Sequence, residues 1–161
     1  MLMKKEAVKK QKVSNESELS PFDFAADSHI GLVREVNEDS FAYFIQPSVS
    51  NALVIVADGI GGHERGEIAS ATCVKTILTE WRNEGLGNIS SQDTLEDFLV
   101  DGIIKSNDNI FELNRSFNIQ HPMGTTVVAG VFLPNRLITA HAGDSRCYRV
   151  RNGVIQQLTE D

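Results

Sequence analysis

Residues 52–66 read Ala-Leu-Val-Ile-Val-Ala-Asp-Gly-Ile-Gly-Gly-His-Glu-Arg-Gly, an uncharged apolar run that delivers one carboxylate, Asp58, into a glycine-rich turn also carrying His63. A buried strand ending on a lone aspartate is costly unless a metal ion, a basic partner or a return to water deals with the charge. A second acidic cluster, Asn37-Glu38-Asp39, lies upstream, and Gly143-Asp144-Ser145-Arg146 closes another apolar run downstream. Three acidic motifs at strand ends suggest a site for a hard cation, which takes oxygen ligands. Arg34 shares a loop with Glu38 and Asp39. Its planar guanidinium suits phosphate oxygens, so this loop could hold a phosphate and a hydrated cation side by side.

Each motif also has a plainer reading. Asp-Gly is a common hairpin turn, although the residues after Gly62 read as a helix and not as a returning strand. Glu38 and Asp39 could belong to a solvated loop, Asp144 to a β-turn, and His63 to the surface. His29, His121 and His141 lack metal-ligand spacing and read as structural. Glycines between a strand and a helix let backbone approach a ligand closely. A P-loop is excluded by the absence of Lys-Ser/Thr after them, and no Gly-x-Gly-x-x-Gly spacing occurs.

The elements that must position these residues follow from periodicity. Residues 22–27 and 40–45 read as strands around the polar loop 31–39. Residues 53–57 form a continuous apolar run, as expected of a strand buried on both faces. Ile68, Ala71, Val74, Ile77, Leu78 and Trp81 recur at helical spacing, and Asn83-Glu84-Gly85 ends that helix. A second helix is predicted over 92–117, with Leu95, Phe98, Leu99, Ile103, Ile110, Leu113 and Phe117 as its stripe and Gly102 as a tolerated weak point. From Gly124 onward the pattern is β: strands at 125–133 and 137–142 around Pro134-Asn135, then 147–150 and 154–158 around Asn152-Gly153, a strong hairpin signal. Strands, two helices and an antiparallel meander, in that order, imply an α+β fold with helices on one face of antiparallel sheet.

Composition sets the frame. The chain has 161 residues, 41% of them hydrophobic, and a net charge of −7. That length suits one domain, and the acidity argues against a nucleic-acid binder. Cys73 and Cys147 are the only cysteines and read as reduced core residues without zinc spacing. No run approaches the roughly 18 apolar residues of a membrane span. Residues 1–20 are polar and lysine-rich with no apolar segment after the lysines, so a disordered tail without a secretory signal is expected, and the cytoplasm is the default location. Residues 21–161 then form the structured part.

Four segments in order resemble the metal-dependent serine/threonine protein phosphatases of type 2C (the PPM family) in their bacterial form. They are Gly31-Leu32-Val33-Arg34-Glu35-Val36-Asn37-Glu38-Asp39, Val56-Ala57-Asp58-Gly59-Ile60-Gly61-Gly62-His63, Met123-Gly124-Thr125-Thr126 and His141-Ala142-Gly143-Asp144-Ser145-Arg146. The resemblance implies an antiparallel β-sandwich flanked by helices, with two Mn2+ or Mg2+ ions at one end. It also implies roles: Asp58 bridging the metals, the Gly59 carbonyl binding one of them, and Glu38 and Asp39 holding metal-bound water. Arg34 would grip the substrate phosphate, Asp144 would match a third, weaker metal, and His63 would act as general acid. The implied activity is hydrolysis of phosphoseryl and phosphothreonyl groups by a metal-activated water, acting on phosphorylated proteins and opposing a serine/threonine kinase.

The family also uses two later aspartates, in Ser-Asp-Gly and Asp-Asn motifs, that do not follow the Asp144 motif here. Asp108-Asn109 lies upstream in the second helix and is no substitute. The expectation is therefore the N-terminal part of such a domain, its C-terminal part missing, inactive alone and prone to aggregate through an uncovered apolar face. Two alternatives stand beside it: a non-catalytic pseudophosphatase or phosphoprotein-binding module, and a chain completed by a separate C-terminal partner. Together, Arg34, Asp39, Asp58 and Asp144 favour a catalytic ancestry over the pseudophosphatase.

Overall fold

The computed structural model describes residues 22–46, 51–60, 65–84, 91–117 and 120–161. Along them run β1 (Asp39–Gln46), β2 (Asn51–Ile60), α1 (Gly66–Asn83), α2 (Gln92–Phe117), β3 (Gly124–Thr125), β4 (Val127–Leu133), β5 (Arg136–Ala142), β6 (Tyr148–Arg151) and β7 (Val154–Gln157). The main sheet is antiparallel in the order β1-β2-β4-β5, with β3 paired to the end of β2. A second antiparallel sheet consists of β6 and β7. The α+β class and the antiparallel pairing expected from the sequence are both observed.

Alternation along the strands decides which face is covered, because successive side chains point to opposite sides. Leu53, Ile55 and Ala57 of β2 and Val127, Ala129 and Val131 of β4 are buried in one cluster with Cys73, Ile77 and Trp81 of α1 and Leu95, Phe98 and Leu99 of α2. Both helices thus cover the same face of the sheet. Trp81 and Phe98 meet edge-on, 5.5 Å between ring centroids. Gly102 faces α1 across this contact, where a Cβ would stand 3.4 Å from Ile77 Cγ1, an ordinary packing distance. Nearby, buried Ser106 donates to the Gly102 carbonyl at 2.7 Å, its own helix satisfying the hydroxyl.

The structure corrects four expectations. The 53–57 run is not buried on both faces: Val54 is half-buried and Val56 is 52% exposed, since the helices cover only one side. Residues 22–27 form no strand. Phe22 and Phe24 instead lie against the uncovered face, Phe24 stacked on Tyr43 at 5.5 Å and Phe22 tilted on Phe132 at 5.8 Å. The 125–133 strand breaks at Thr126, which belongs to neither β3 nor β4. The final meander is two pieces, because β5 pairs with β4 and β6 only with β7. The turn between β6 and β7 has the predicted geometry: Asn152 and Gly153 have φ of 52° and 76°, as a type I′ hairpin requires.

The stripe of α1 is also rotated relative to its apolar pattern, with Ser70 and Cys73 buried and Ala71 exposed. Cys73 is buried and Cys147 half-buried, both as free thiols. No helix among the described residues is long and apolar enough to cross a membrane. The tail over 1–20 lies outside the described residues, as does His63.

Candidate metal centre

Asp58 lies within β2 and not at its end, because β3 extends the pairing over Gly59 and Ile60. Across the β1–β2 ladder its direct partner is Asp39. Facing strand partners project from the same side of a sheet, and like charges there repel. The effect registers on Asp58, whose carboxyl titrates above the ordinary aspartate value of 3.8. Burial is the largest cause, followed by the charges of Asp39 and Asp144, a hydrogen bond with Asp39, and the charge of Glu38. The three acidic motifs therefore converge on one end of the sheet.

Backbone contacts hold that convergence in place. The Asp58 carbonyl accepts from the Thr126 N–H (2.9 Å) and from Thr125 Oγ1 (3.0 Å). The Gly59 N–H donates to the Glu38 carbonyl at 3.0 Å, which also accepts from Ser70 Oγ at 2.6 Å. Ser70 Oγ lies 3.0 Å from Ser40 Oγ as well. Asp39 takes a hydrogen bond from Ser28 Oγ at 3.2 Å, and its N–H donates to Asn37 Oδ1 at 3.1 Å. Asn37 Nδ2 in turn donates to Ser28 Oγ at 2.7 Å.

Arg34 stands mostly in solvent and donates through Nη1 to Glu38 Oε2 at 2.9 Å. The Glu38 side chain is only 12% exposed, tucked against Gly66 at the start of α1, where a Cβ would come 2.6 Å from Oε1. Asp144 is exposed, following Gly143, whose φ of +92° suits a glycine. Arg146 of the same motif donates through Nε to both Asp161 carboxylate oxygens, at 2.8 and 3.1 Å.

Carboxylates and a peptide carbonyl are the donors a hard divalent cation prefers, so the residues present fit such an ion. Among the described residues, however, no three His, Cys, Asp or Glu side chains stand in ligand geometry about one point.

Sequence reasoning missed Ser28 and Ser70, and quoted Thr126 within a motif without giving it a role. Ser70 was detectable as a polar residue one position from the apolar stripe of α1. Ser70→Ala is expected to cost about 1 kcal/mol, the net worth of one hydrogen bond to a buried carbonyl. Urea denaturation checks this, and an unchanged midpoint would mean that the Glu38 carbonyl is held adequately by Gly59 alone.

Proteins similar to this chain include several phosphatases. The family profile of protein phosphatase 2C matches residues 27–161. The serine/threonine phosphatase Stp of Listeria monocytogenes is 34% identical over 131 residues, covering 81% of this chain and 51% of Stp. A solved S. agalactiae serine/threonine phosphatase superposes with a TM-score of 0.73 at 34% identity, over 83% of this chain and 53% of the other. The catalytic domain of the serine/threonine protein phosphatase PstP, solved in complex with two manganese ions, gives a TM-score of 0.69 at 36% identity, over 85% and 54%. The chain spans about half the length of these relatives.

Proposed function

Because the chain belongs to the protein phosphatase 2C family, we propose that it supplies the phosphate-gripping and cation-holding residues of a serine/threonine protein phosphatase. The observation that carries this reading is that Asp58 faces Asp39 across the β1–β2 ladder and feels the charges of Asp39, Asp144 and Glu38, two separate stretches of sequence converging on one carboxylate. Such a cluster is unfavourable unless a cation offsets its charge.

When bound, divalent cations supply an activated water nucleophile and neutralise phosphate charge. Asp58 and the Gly59 carbonyl would hold two of them, Mn2+ as in PstP or Mg2+, with Glu38 and Asp39 fixing coordinated water and Asp144 serving a third. Arg34, exposed and tethered only at Nη1 among the described residues, can turn its fork to a phosphoryl group and leave Glu38 for the cation's water. His63 would protonate the departing seryl or threonyl oxygen. The substrates would be phosphoproteins of a cytoplasmic signalling circuit run with a serine/threonine kinase. A separate chain carrying the family's other half is the partner proposed for full activity.

The test is hydrolysis of p-nitrophenyl phosphate and of a phosphothreonyl peptide by the purified chain, with and without Mn2+, beside Asp58→Asn. Mn2+-dependent turnover lost in the variant supports a working site within this chain. No turnover, with Mn2+-dependent capture of the phosphopeptide, would favour a binding module. Turnover equal in both proteins would sink the assignment of Asp58.

A further inference from the structure

We propose that Thr126 is a positioning residue that locks the spacing between Asp58 and Asp144, an inference that rests on reading the carboxylate cluster as a cation site. Thr126 sits in the one-residue break between β3 and β4 and is 3% exposed. It engages both backbone polar groups of Asp58: its N–H donates to the Asp58 carbonyl at 2.9 Å, and its Oγ1 accepts from the Asp58 N–H at 3.2 Å. The same Oγ1 lies 2.6 Å from Ser145 Oγ, with either hydroxyl able to donate.

The methyl group of Thr126 works on the same loop. A Cβ on Gly143 would stand 2.8 Å from Thr126 Cγ2 and 3.0 Å from its Cβ, so Gly143 rests directly on this side chain. Asp144 is therefore held from both neighbours, Gly143 against the methyl and Ser145 against the hydroxyl. One buried side chain joins two segments, distant in sequence, whose carboxylates repel each other. Groups that hold neighbouring cations must keep their separation to within about 0.5 Å, and repulsion alone would spread them.

The test is Mn2+ titration calorimetry on the full chain, with the metal-free melting temperature recorded for each protein. Thr126→Val keeps the shape and a methyl but removes Oγ1, and Thr126→Ser keeps the hydroxyl. Thr126→Val is expected to bind Mn2+ about tenfold more weakly, at the lower end of losses for residues that orient metal ligands. Thr126→Ser should stay within about twofold, since the hydroxyl is what orients the ligands. Ser145→Ala, on a partly exposed loop, should melt like the wild type yet bind severalfold more weakly, which keeps the test readable if Thr126→Val fails to fold. Thr126→Val and Ser145→Ala binding like the wild type, while Asp58→Asn does not, would overturn the positioning role and leave the cation site intact. Thr126→Ser binding as poorly as Thr126→Val would overturn the role of the hydroxyl. Indistinguishable titrations for wild type and Asp58→Asn would overturn the cation site and this inference with it.

Discussion

Asp58→Asn is expected to abolish the Mn2+ binding proposed for this chain and, in the same protein, to raise the melting temperature measured without metal. The two effects have one cause. The Asp58 carboxyl titrates above 3.8 because burial and then the charges of Asp39 and Asp144 disfavour its ionised form. A folded-state pKa above the unfolded value means that the ionised group costs stability at neutral pH. The cost fades as pH falls through the folded value and is gone below 3.8. Asparagine keeps the shape and removes the charge. Because this side chain is largely in solvent, the relief should be small, on the order of 0.5 kcal/mol, or roughly 1–2 °C in a domain of this size. The advantage should shrink on acidification, as the wild-type carboxylate protonates. The loss of Mn2+ affinity should exceed the ~10–100-fold expected of an outer-shell partner. Parallel melts and titrations between pH 4 and 7.5 decide the matter. A variant less stable than wild type without metal would mean that the carboxylate is favourably paired, and the cluster would lose its claim to be a cation site.

Local periodicity carried much of the fold. The apolar stripe of α2 repeats over seven turns, and its bounds, Gln92–Phe117, match the sequence reading. Asn152-Gly153 likewise announces its hairpin, because only residues that tolerate positive φ fit there. Failures came where an outcome depended on distant partners. Phe22-x-Phe24 alternates like a strand, but strand propensity measures how well side chains suit a pleated, half-buried surface. Here the rings find such a surface on Tyr43 and Phe132 without joining a ladder. Val56 belongs to an unbroken apolar run, yet helices pack on one side only, which no local pattern could reveal. The candidate site divides similarly. Asp39, Asp58 and Asp144 stand out as acids beside apolar runs. The hydroxyls of Ser70 and Thr126 that hold their backbones look like ordinary polar residues until the register places them.

Gly59→Ala should be the most destructive single methyl added at any of the described glycines. A Cβ at Gly59 would stand 2.3 Å from the Gly66 carbonyl oxygen, 2.4 Å from its carbon and 2.7 Å from the Glu38 carbonyl oxygen. All three are backbone atoms, so no side chain can rotate away. Relief requires β2 to part both from the first turn of α1 and from the Glu38 loop. The expected cost is at least ~3 kcal/mol, the upper range for overpacking, or roughly 10 °C at the scaling for domains of this size. Gly102→Ala is the contrasting case. Its Cβ would meet Ile77 Cγ1 at 3.4 Å, a contact a flexible side chain can yield to, and alanine gains up to ~1 kcal/mol in a helix interior. Near-neutral stability is expected there. Thermal melts of both variants check the pair, and a Gly59→Ala cost below about 1 kcal/mol, the centre of the distribution for ordinary substitutions, would mean that β2 and α1 do not cross at this distance. The crossing matters because it sets the site. Gly59 carries the carbonyl proposed for the cation, its N–H holds Glu38, and its missing side chain admits the helix start against which the Glu38 carboxylate rests. Even an alanine variant that stays folded should therefore lose Mn2+ affinity, since any movement that clears the methyl separates Asp58 from Glu38.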